Sequence, residues 1–147
     1  MNIKNRASKH STTEDLPDAN LHIDKMDTFD ALIAMLESQA ESFSALQVAL
    51  PSIEAAANAA YEQLSKHSTG RLIYAGAGTS ARIGVQDGVE LPPTFNWPKN
   101  RIDFLIAGGV SALTGAIENA EDNAEAGFAA VKAKRVTVDD VVIALAT

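Results

Sequence analysis

Three short aliphatic runs separated by helical patterns constrain the fold of this chain more than any other feature. The runs are RLIYA at residues 71–75, DFLIA at 103–107 and VVIALA at 141–146. Short apolar runs bounded by turn residues are typical of strands that are buried on both faces. The order strand, helix, strand, helix, strand therefore predicts an α/β protein with a parallel sheet covered by helices.

The segments between these runs predict the covering helices. GAGTSARIGV directly follows the first run, which predicts a tight turn that opens a helix over about 79–88. Three prolines between residues 92 and 98 predict an extended loop after this helix. A second helical stretch is expected over about 111–134, with an interruption near Asn119.

The part of the chain before the first run predicts an arm followed by two helices. Residues 1–27 are polar and have no periodicity, so we interpret them as an arm. From Thr28, a candidate N-cap, apolar residues recur at helical spacing until Pro51 is predicted to end the helix. A second helix is expected over about 52–67, with Ser52 as its N-cap.

The sequence ends at the carboxyl end of its third predicted strand. Ligands of open α/β sheets bind at the carboxyl ends of the strands, so the sequence stops where a binding loop would begin. We therefore interpret residues 28–147 as the N-terminal part of a larger domain, incomplete after its third strand. The alternative is a complete unit with a sheet of only three strands, which is an unusually small sheet.

Composition excludes several classes of function. The 147 residues include 12 basic and 19 acidic side chains, a net charge of −7 that argues against a nucleic-acid surface. No apolar run is long enough to span a membrane. The three histidines have no metal-ligand spacing, and no metal site is expected. The chain has no cysteine, which excludes thiolate chemistry and favours a cytoplasmic protein.

The first candidate site is the turn Gly76-Ala77-Gly78-Thr79-Ser80. Its two glycines let the backbone approach a ligand closely, and the N-terminus of the following helix attracts anions. Thr79 and Ser80 add hydroxyl donors, so phosphate is the expected ligand. Two alternatives remain. One is a dinucleotide fingerprint, although the second strand lacks the acidic residue that this fingerprint requires. The other is a tight turn without a ligand.

Two sets of carboxylates are further candidates. Glu90 lies just before the Pro92-Pro93 pair, where a stiff loop would hold a carboxylate that is able to transfer a proton. The alternative is a solvated surface glutamate. The second set is Glu118, Glu121, Asp122 and Glu125, within the predicted helical stretch. Glu118, Glu121 and Glu125 are predicted to share one helix face, with a solvated face as the alternative.

These motifs together resemble N-acetylmuramic acid 6-phosphate etherases, which belong to the sugar isomerase (SIS) phosphosugar-binding superfamily. The resemblance is carried by GRLIYAGAGTSARIGVQDGVELPPTF, IAGGVSALTGAIENAEDNAEAG and the closing DDVVIALAT, and it covers roughly residues 13–147. It implies a flavodoxin-like, three-layer α/β/α SIS fold. It also implies a homodimer with shared active sites.

The resemblance further implies a reaction. Such an etherase cleaves the D-lactyl ether of N-acetylmuramic acid 6-phosphate to N-acetylglucosamine 6-phosphate and D-lactate. Elimination is followed by addition of water, without a metal or organic cofactor. By position, Gly78, Thr79 and Ser80 fall on the phosphosugar loop. Glu90 falls on the acid that protonates the ether oxygen, and Glu121 falls on a second glutamate, a candidate base for the C2 proton.

Two other functions fit the same architecture. One is a phosphosugar-sensing module of the kind found in glucokinase regulatory protein, which binds sugar phosphates without catalysis. The other is an aldose–ketose isomerase, which would convert sugar phosphates without releasing lactate. The presence of both Glu90 and Glu121 favours the etherase.

Overall fold

The computed structural model of the chain describes residues 22–146. The chain divides into two compact units, one ending at Ser52 and the other beginning at Ile53. The sheet and the candidate site belong to the second unit. Residues 1–21 of the predicted arm lie outside the described residues, and the last residues of that arm include a 3-10 helix at Ile23–Lys25.

The first long helix, α1, runs from Thr28 to Lys66 without a break. The prediction of two helices separated at Pro51 is wrong, because Pro51 lies inside α1. A proline removes one helical hydrogen bond, but its fixed φ is compatible with a helix, so strong helix formers on both sides can continue through it. The N-cap is also different. Asp27 Oδ1, and not Thr28, accepts hydrogen bonds from the N–H groups of Phe29 and Asp30, at 3.0 and 3.1 Å.

Three parallel strands form the sheet, as the sequence predicted. They are β1 at Leu72–Gly76, β2 at Ile102–Ile106 and β3 at Val141–Leu145, in the spatial order β2-β1-β3. Each observed boundary lies within one residue of the predicted run. The central strand β1 pairs with both neighbours, so that Tyr74 stands opposite Phe104 on one side and Ile143 on the other.

The second helix, α2, runs from Gly78 to Phe95 and is longer than predicted. Pro92 and Pro93 continue its last turn and do not form the expected extended loop. Their φ angles suit a helix, and near a C-terminus few further hydrogen bonds are lost. The helix ends at Asn96, which adopts φ of 54°, and Trp97 N–H closes the end by donating to Leu91 O at 3.3 Å.

The sheet-facing side of α2 consists of small residues, Ala81, Gly84 and Gly88, all of which are buried. A Cβ atom at Gly84 would lie 2.7 Å from Leu145 Cδ1, and one at Gly88 would lie 2.7 Å from Phe104 Cε1. Glycine therefore brings the helix backbone directly onto the side chains of the sheet.

The predicted helix over 111–134 is mostly wrong. A short 3-10 helix at Val110–Leu113 is followed by turns, and the third helix, α3, covers only Ala124–Ala133. Asn119, where an interruption was expected, lies within these turns and has φ of 58°. Asn123 caps α3 by accepting a hydrogen bond from Ala126 N–H at 2.9 Å, because an asparagine side chain satisfies a first-turn amide well.

The two later helices cover opposite faces of the sheet. Tyr74 faces α2, whereas its neighbour Ala75 lines a cavity together with Leu105 and the α3 residues Ala130 and Val131. Successive side chains of a strand point to opposite faces, so α2 and α3 lie on different sides. The predicted three-layer α/β/α arrangement is confirmed around these three strands.

Arg71 joins the three strands at the amino end of the sheet. Its guanidinium pairs with Asp140 at 2.8 Å and with Asp103 at 3.2 Å. The Asp140 side chain is only 3% exposed. Since Arg71 precedes β1, Asp103 belongs to β2 and Asp140 precedes β3, this network joins the beginnings of all three strands.

Candidate functional site

The turn from β1 into α2 forms the centre of the candidate site. The strand ends at Gly76 and the helix begins at Gly78, whose φ of +52° is the left-handed conformation that glycine adopts without strain. The first amides of a helix have no acceptor within it. Here no side chain caps the N-terminus at Ala77. The positive end of α2 is therefore available to an anion.

The turn after β2 lies beside the turn after β1. Ala107 N–H donates to Gly76 O at 3.0 Å, which joins the two turns at the carboxyl edge of the sheet. Gly108 and Gly109 follow with φ of 78° and 72° and redirect the chain across the top of α2. Two consecutive turns at the carboxyl end of a parallel sheet are the usual setting for a ligand.

A cavity of about 410 Å³ opens between these two turns. This volume is typical of sites for small molecules. The cavity is lined by the residues of the first turn and by the segment that follows β2. These residues are Ala77, Gly78, Thr79, Ser80, Arg82, Ala107, Ala112, Gly115, Ala116, Ile117, Ala120 and Glu121. Three of the predicted phosphate-binding residues thus share one cavity with one of the predicted catalytic glutamates.

Glu121 lies directly against the turn. A Cβ atom on Gly78 would be 2.8 Å from Glu121 Oε1, so any larger residue at position 78 would displace the carboxylate. The predicted shared helix face of Glu118, Glu121 and Glu125 is wrong, because only Glu125 lies in a helix. Turns before α3, and not a helix, bring Glu121 to the cavity.

Gly76 and Glu90 lie outside the 410 Å³ cavity. A Cβ at Gly76 would be 2.6 Å from Leu145 O, so a glycine is required there by the close approach of β3. Glu90 is exposed on α2, twelve residues after Gly78. At 1.5 Å per residue this is about 18 Å along the helix. Within one chain the two predicted catalytic glutamates are therefore not brought together.

Arg82 is a site residue that was not predicted from the sequence. Arg82 lies four residues after Gly78, on the same side of α2, and it lines the cavity. Its Nε donates to Ala112 O and its Nη2 donates to Gly115 O, both at 3.1 Å. The one available signal was this i, i+4 spacing from the turn. Among the described residues that line the cavity, Arg82 alone is basic.

Tyr74 and Asp87 form a second feature that the sequence did not reveal. The Tyr74 side chain is buried under α2, stacked near Phe104, and its hydroxyl donates a hydrogen bond to Asp87 Oδ2. Burial, and then the hydrogen bond to Asp87, raise the pKa of the Tyr74 hydroxyl above its usual value. Asp87 precedes Glu90 by three residues, so this bond fastens the part of α2 that carries Glu90.

In residues 22–146 no three histidine or acidic side chains are grouped closely enough to hold a metal ion. None of the helices described is both long and apolar enough to cross a membrane.

Comparison with known proteins identifies related sequences. Residues 54–146, well over half of the chain, match the protein family described as the glucokinase regulatory protein N-terminal SIS domain. The resemblance to etherases is also confirmed. The N-acetylmuramic acid 6-phosphate etherase of Deinococcus radiodurans is 51% identical over 118 residues, which are 80% of this chain and 38% of the relative.

Other relatives have the same name and a similar extent. The N-acetylmuramic acid 6-phosphate etherase of Psychromonas ingrahamii is 40% identical over 91% of this chain and 44% of its own length. That of Clostridium beijerinckii is 38% identical over 94% of this chain and 45% of its own length. The chain thus spans less than half the length of these curated relatives. By its match over residues 54–146, the chain belongs to the family of the glucokinase regulatory protein N-terminal SIS domain.

Proposed function

We propose that the chain is part of an enzyme that cleaves the D-lactyl ether of N-acetylmuramic acid 6-phosphate. The observation that carries this proposal is the position of the Glu121 carboxylate, which lies against the Gly78 turn inside a cavity of about 410 Å³. A carboxylate that shares a cavity with an anion-binding turn can act as a base on a phosphorylated substrate bound there. The names of the relatives support the same reaction.

The substrate's phosphate would occupy the N-terminus of α2. The first amides of the helix, the Thr79 and Ser80 hydroxyls and the positive end of the helix dipole all favour a negative charge there. The sugar ring would then extend into the cavity toward Glu121. In this placement Glu121 is the carboxylate on the cavity wall that the sugar ring would face.

The reaction needs one base and one acid. In the elimination step, Glu121 would take the C2 proton and the bond between C3 and the ether oxygen would break. A double bond forms between C2 and C3, and the leaving oxygen takes a proton from Glu90, which yields D-lactate. Water then adds its hydroxyl to C3 and a proton to C2, which gives N-acetylglucosamine 6-phosphate. Lactate is a poor leaving group without such protonation, so the two carboxyl groups must act together.

Glu90 would reach the reaction from a second copy of the chain. It lies about 18 Å along α2 from Gly78, which places it beyond the reach of the cavity in its own chain. The C-terminal half of α2 also carries two exposed apolar side chains, Val89, 52% exposed, and Phe95, 71% exposed. Exposed apolar side chains on the same part of a helix are consistent with a subunit interface. We therefore propose a homodimer with shared active sites.

We propose a cytoplasmic location for the enzyme. Its substrate would carry a phosphate, and a charged sugar does not cross a membrane unaided because moving a charge through the bilayer is costly. Fractionation of the source cells, with detection of the chain by an antibody, tests this proposal.

A non-catalytic phosphosugar-sensing module is the second candidate. The matched family description supports it, as does the separation of Glu90 from the cavity within one chain. A sensor needs the phosphate turn but has no need for two cooperating carboxyl groups. Binding without turnover is the result that distinguishes it from the etherase.

Proton NMR of N-acetylmuramic acid 6-phosphate mixed with the chain tests the proposal. Growth of a free lactate methyl signal is expected, and it should disappear in Glu121→Gln. Glu125→Gln is the matched control, because Glu125 is an exposed acid on α3 that does not line the cavity. Binding of the sugar phosphate without lactate release would support the sensor. If neither binding nor release occurs in a folded sample, the phosphosugar site proposed at the Gly78 turn of this chain is wrong.

A further inference from the structure

Arg82 occupies a defined position in the cavity wall. Its guanidinium spans from α2 to the segment after β2, where it donates to the carbonyl oxygens of Ala112 and Gly115. A guanidinium has five N–H donors in a rigid plane. These two bonds use two of the N–H donors and fix the orientation of the guanidinium plane. The other three donors belong to the same fixed group. Arg82 lies four residues after Gly78, and its side chain lines the cavity.

The charges of the cavity require a cation when a phosphosugar binds. A phosphate monoester carries about −1.5 to −2 charges near neutral pH. The Glu121 carboxylate already lies beside the turn, so the bound state would bring two anionic groups together. The end of a helix dipole corresponds to only about +0.5 charge. Arg82 is the basic residue that the described wall of this cavity provides.

We propose that Arg82 is the specificity-determining residue that makes this cavity prefer phosphorylated sugars over neutral sugars. Its two bonds to backbone carbonyls hold the guanidinium in place, and its charge offsets the repulsion between the phosphate and Glu121. Fixed guanidinium groups form strong charge-assisted hydrogen bonds to phosphate oxygens. This inference rests on the proposed binding of a phosphosugar at the Gly78 turn.

The alternative role for Arg82 is purely structural. In that case the two carbonyl bonds shape the cavity wall, and the charge does not contribute to binding. The two roles make different demands on a substitution. Lysine keeps the charge but cannot reproduce the planar fork, whereas glutamine loses the charge. A structural role also affects neutral and phosphorylated sugars alike, whereas a charge acts on the phosphorylated sugar.

The test compares the dissociation constants of N-acetylglucosamine 6-phosphate and N-acetylglucosamine by calorimetry on the 147-residue chain. Arg82→Gln is expected to weaken binding of the phosphorylated sugar at least tenfold, with less than a twofold change for the neutral sugar. Arg82→Lys should keep most of the preference. Lys132→Gln is the matched control, because it removes a positive charge from α3, outside this cavity.

Each result decides the question. An unchanged preference in Arg82→Gln, or equal weakening of both sugars in both Arg82 variants, would overturn the inference while the proposed phosphosugar site stands. Failure of the unsubstituted chain to bind the phosphorylated sugar would overturn the proposed function together with the inference. If Arg82→Gln does not fold, the neutral variant Arg82→Met takes its place, and an unchanged preference for the phosphorylated sugar in it would overturn the inference.

Discussion

The Glu121 carboxylate lies against Gly78 at the point where α2 begins, and only the absence of a side chain at residue 78 makes room for it. A Cβ there would come within 2.8 Å of Glu121 Oε1. The positive end of a helix stabilises a nearby negative charge. The proposed base, Glu121, is thus positioned beside the Gly78 turn.

Substitution of Gly78 by alanine should damage the site more than the fold. The residue has φ of +52°, where an alanine is strained by about 1 kcal/mol, and its Cβ would push the Glu121 carboxylate away. We expect lactate release to fall by about tenfold or more, because a displacement of about 1 Å at a reacting group has a large effect. The NMR assay of the lactyl methyl group measures this.

The matched control for this substitution is Gly127→Ala. Gly127 lies within α3, where an added Cβ would meet nothing within 4 Å. Alanine there should stabilise the protein by about 0.5–1 kcal/mol and leave lactate release unchanged. Equal activity of Gly78→Ala and Gly127→Ala would contradict the role of the Gly78 turn.

Variants of the two glutamates should each lose activity alone and regain part of it when they are mixed. Glu90→Gln and Glu121→Gln should each lower lactate release by about 10²–10⁴-fold, the usual contribution of a general acid or base. In a dimer with shared sites, a mixed dimer of the two variants has one intact site. Random exchange of subunits should restore about a quarter of the original activity. Activity that stays absent after subunit exchange would show that the two glutamates do not meet across an interface.

The Tyr74 hydroxyl should stabilise the protein in a pH-dependent way. Tyr74 is only 6% exposed and donates to Asp87, so Tyr74→Phe should cost about 1–2 kcal/mol near neutral pH. Because the folded state raises the pKa of this tyrosine, its stabilisation is complete below about pH 10 and is lost as the pH rises further.

Urea unfolding between pH 7 and pH 11 measures this effect. The difference in unfolding free energy between the unsubstituted chain and Tyr74→Phe should shrink above about pH 10. Tyr61→Phe is the control, since Tyr61 on α1 is 73% exposed. A difference that stays constant across the whole range would contradict the raised pKa of Tyr74.

The Arg71 and Asp140 pair should make the protein sensitive to acid. The hydrogen bond from Arg71 holds the pKa of Asp140 well below its ordinary value near 3.8. A lowered pKa means that the stabilisation is present above that ordinary value and is lost as the pH falls below it. Asp140→Asn should cost about 3 kcal/mol at neutral pH, because it breaks a largely buried ion pair.

Thermal unfolding at pH values between 2 and 7 tests this expectation. Asp140→Asn should lose less stability on acidification than the unsubstituted chain does. Glu37→Gln, at an exposed position on α1, serves as the control and should follow the unsubstituted chain. If Asp140→Asn is as sensitive to acid as the unsubstituted chain, the Arg71–Asp140 pair does not cause the loss of stability at low pH.

The strands could be predicted well because their signal is local. A run such as LIYAG or VVIAL is apolar, short and bounded by turn residues, so its boundaries follow from its own composition. The turn at Gly78 was predictable for the same reason, since two glycines after a strand and a helical pattern beyond it specify both the bend and the helix start.

The errors arose where a single local signal does not decide the outcome. Prolines were expected to end helices at Pro51 and at Pro92, yet both lie inside helices, because the loss of a few hydrogen bonds is offset by the residues around them. The position of Glu121 was also beyond local reasoning. Helical periodicity grouped it with Glu118 and Glu125, whereas the backbone between Leu113 and α3 forms turns that bring it to Gly78.

The glycines on the inner side of α2 link the shape of the cavity to residues far from it. With Gly84 and Gly88 in contact with Tyr74, Phe104 and Leu145, the spacing between helix and sheet is set by the side chains of the strands. A larger residue at position 88 would need a smaller ring at position 104 or a wider spacing. A wider spacing would shift the whole helix, including its first residue, Gly78. Natural variants should therefore change these inner positions in concert, because a change at one of them alone would move the Gly78 turn.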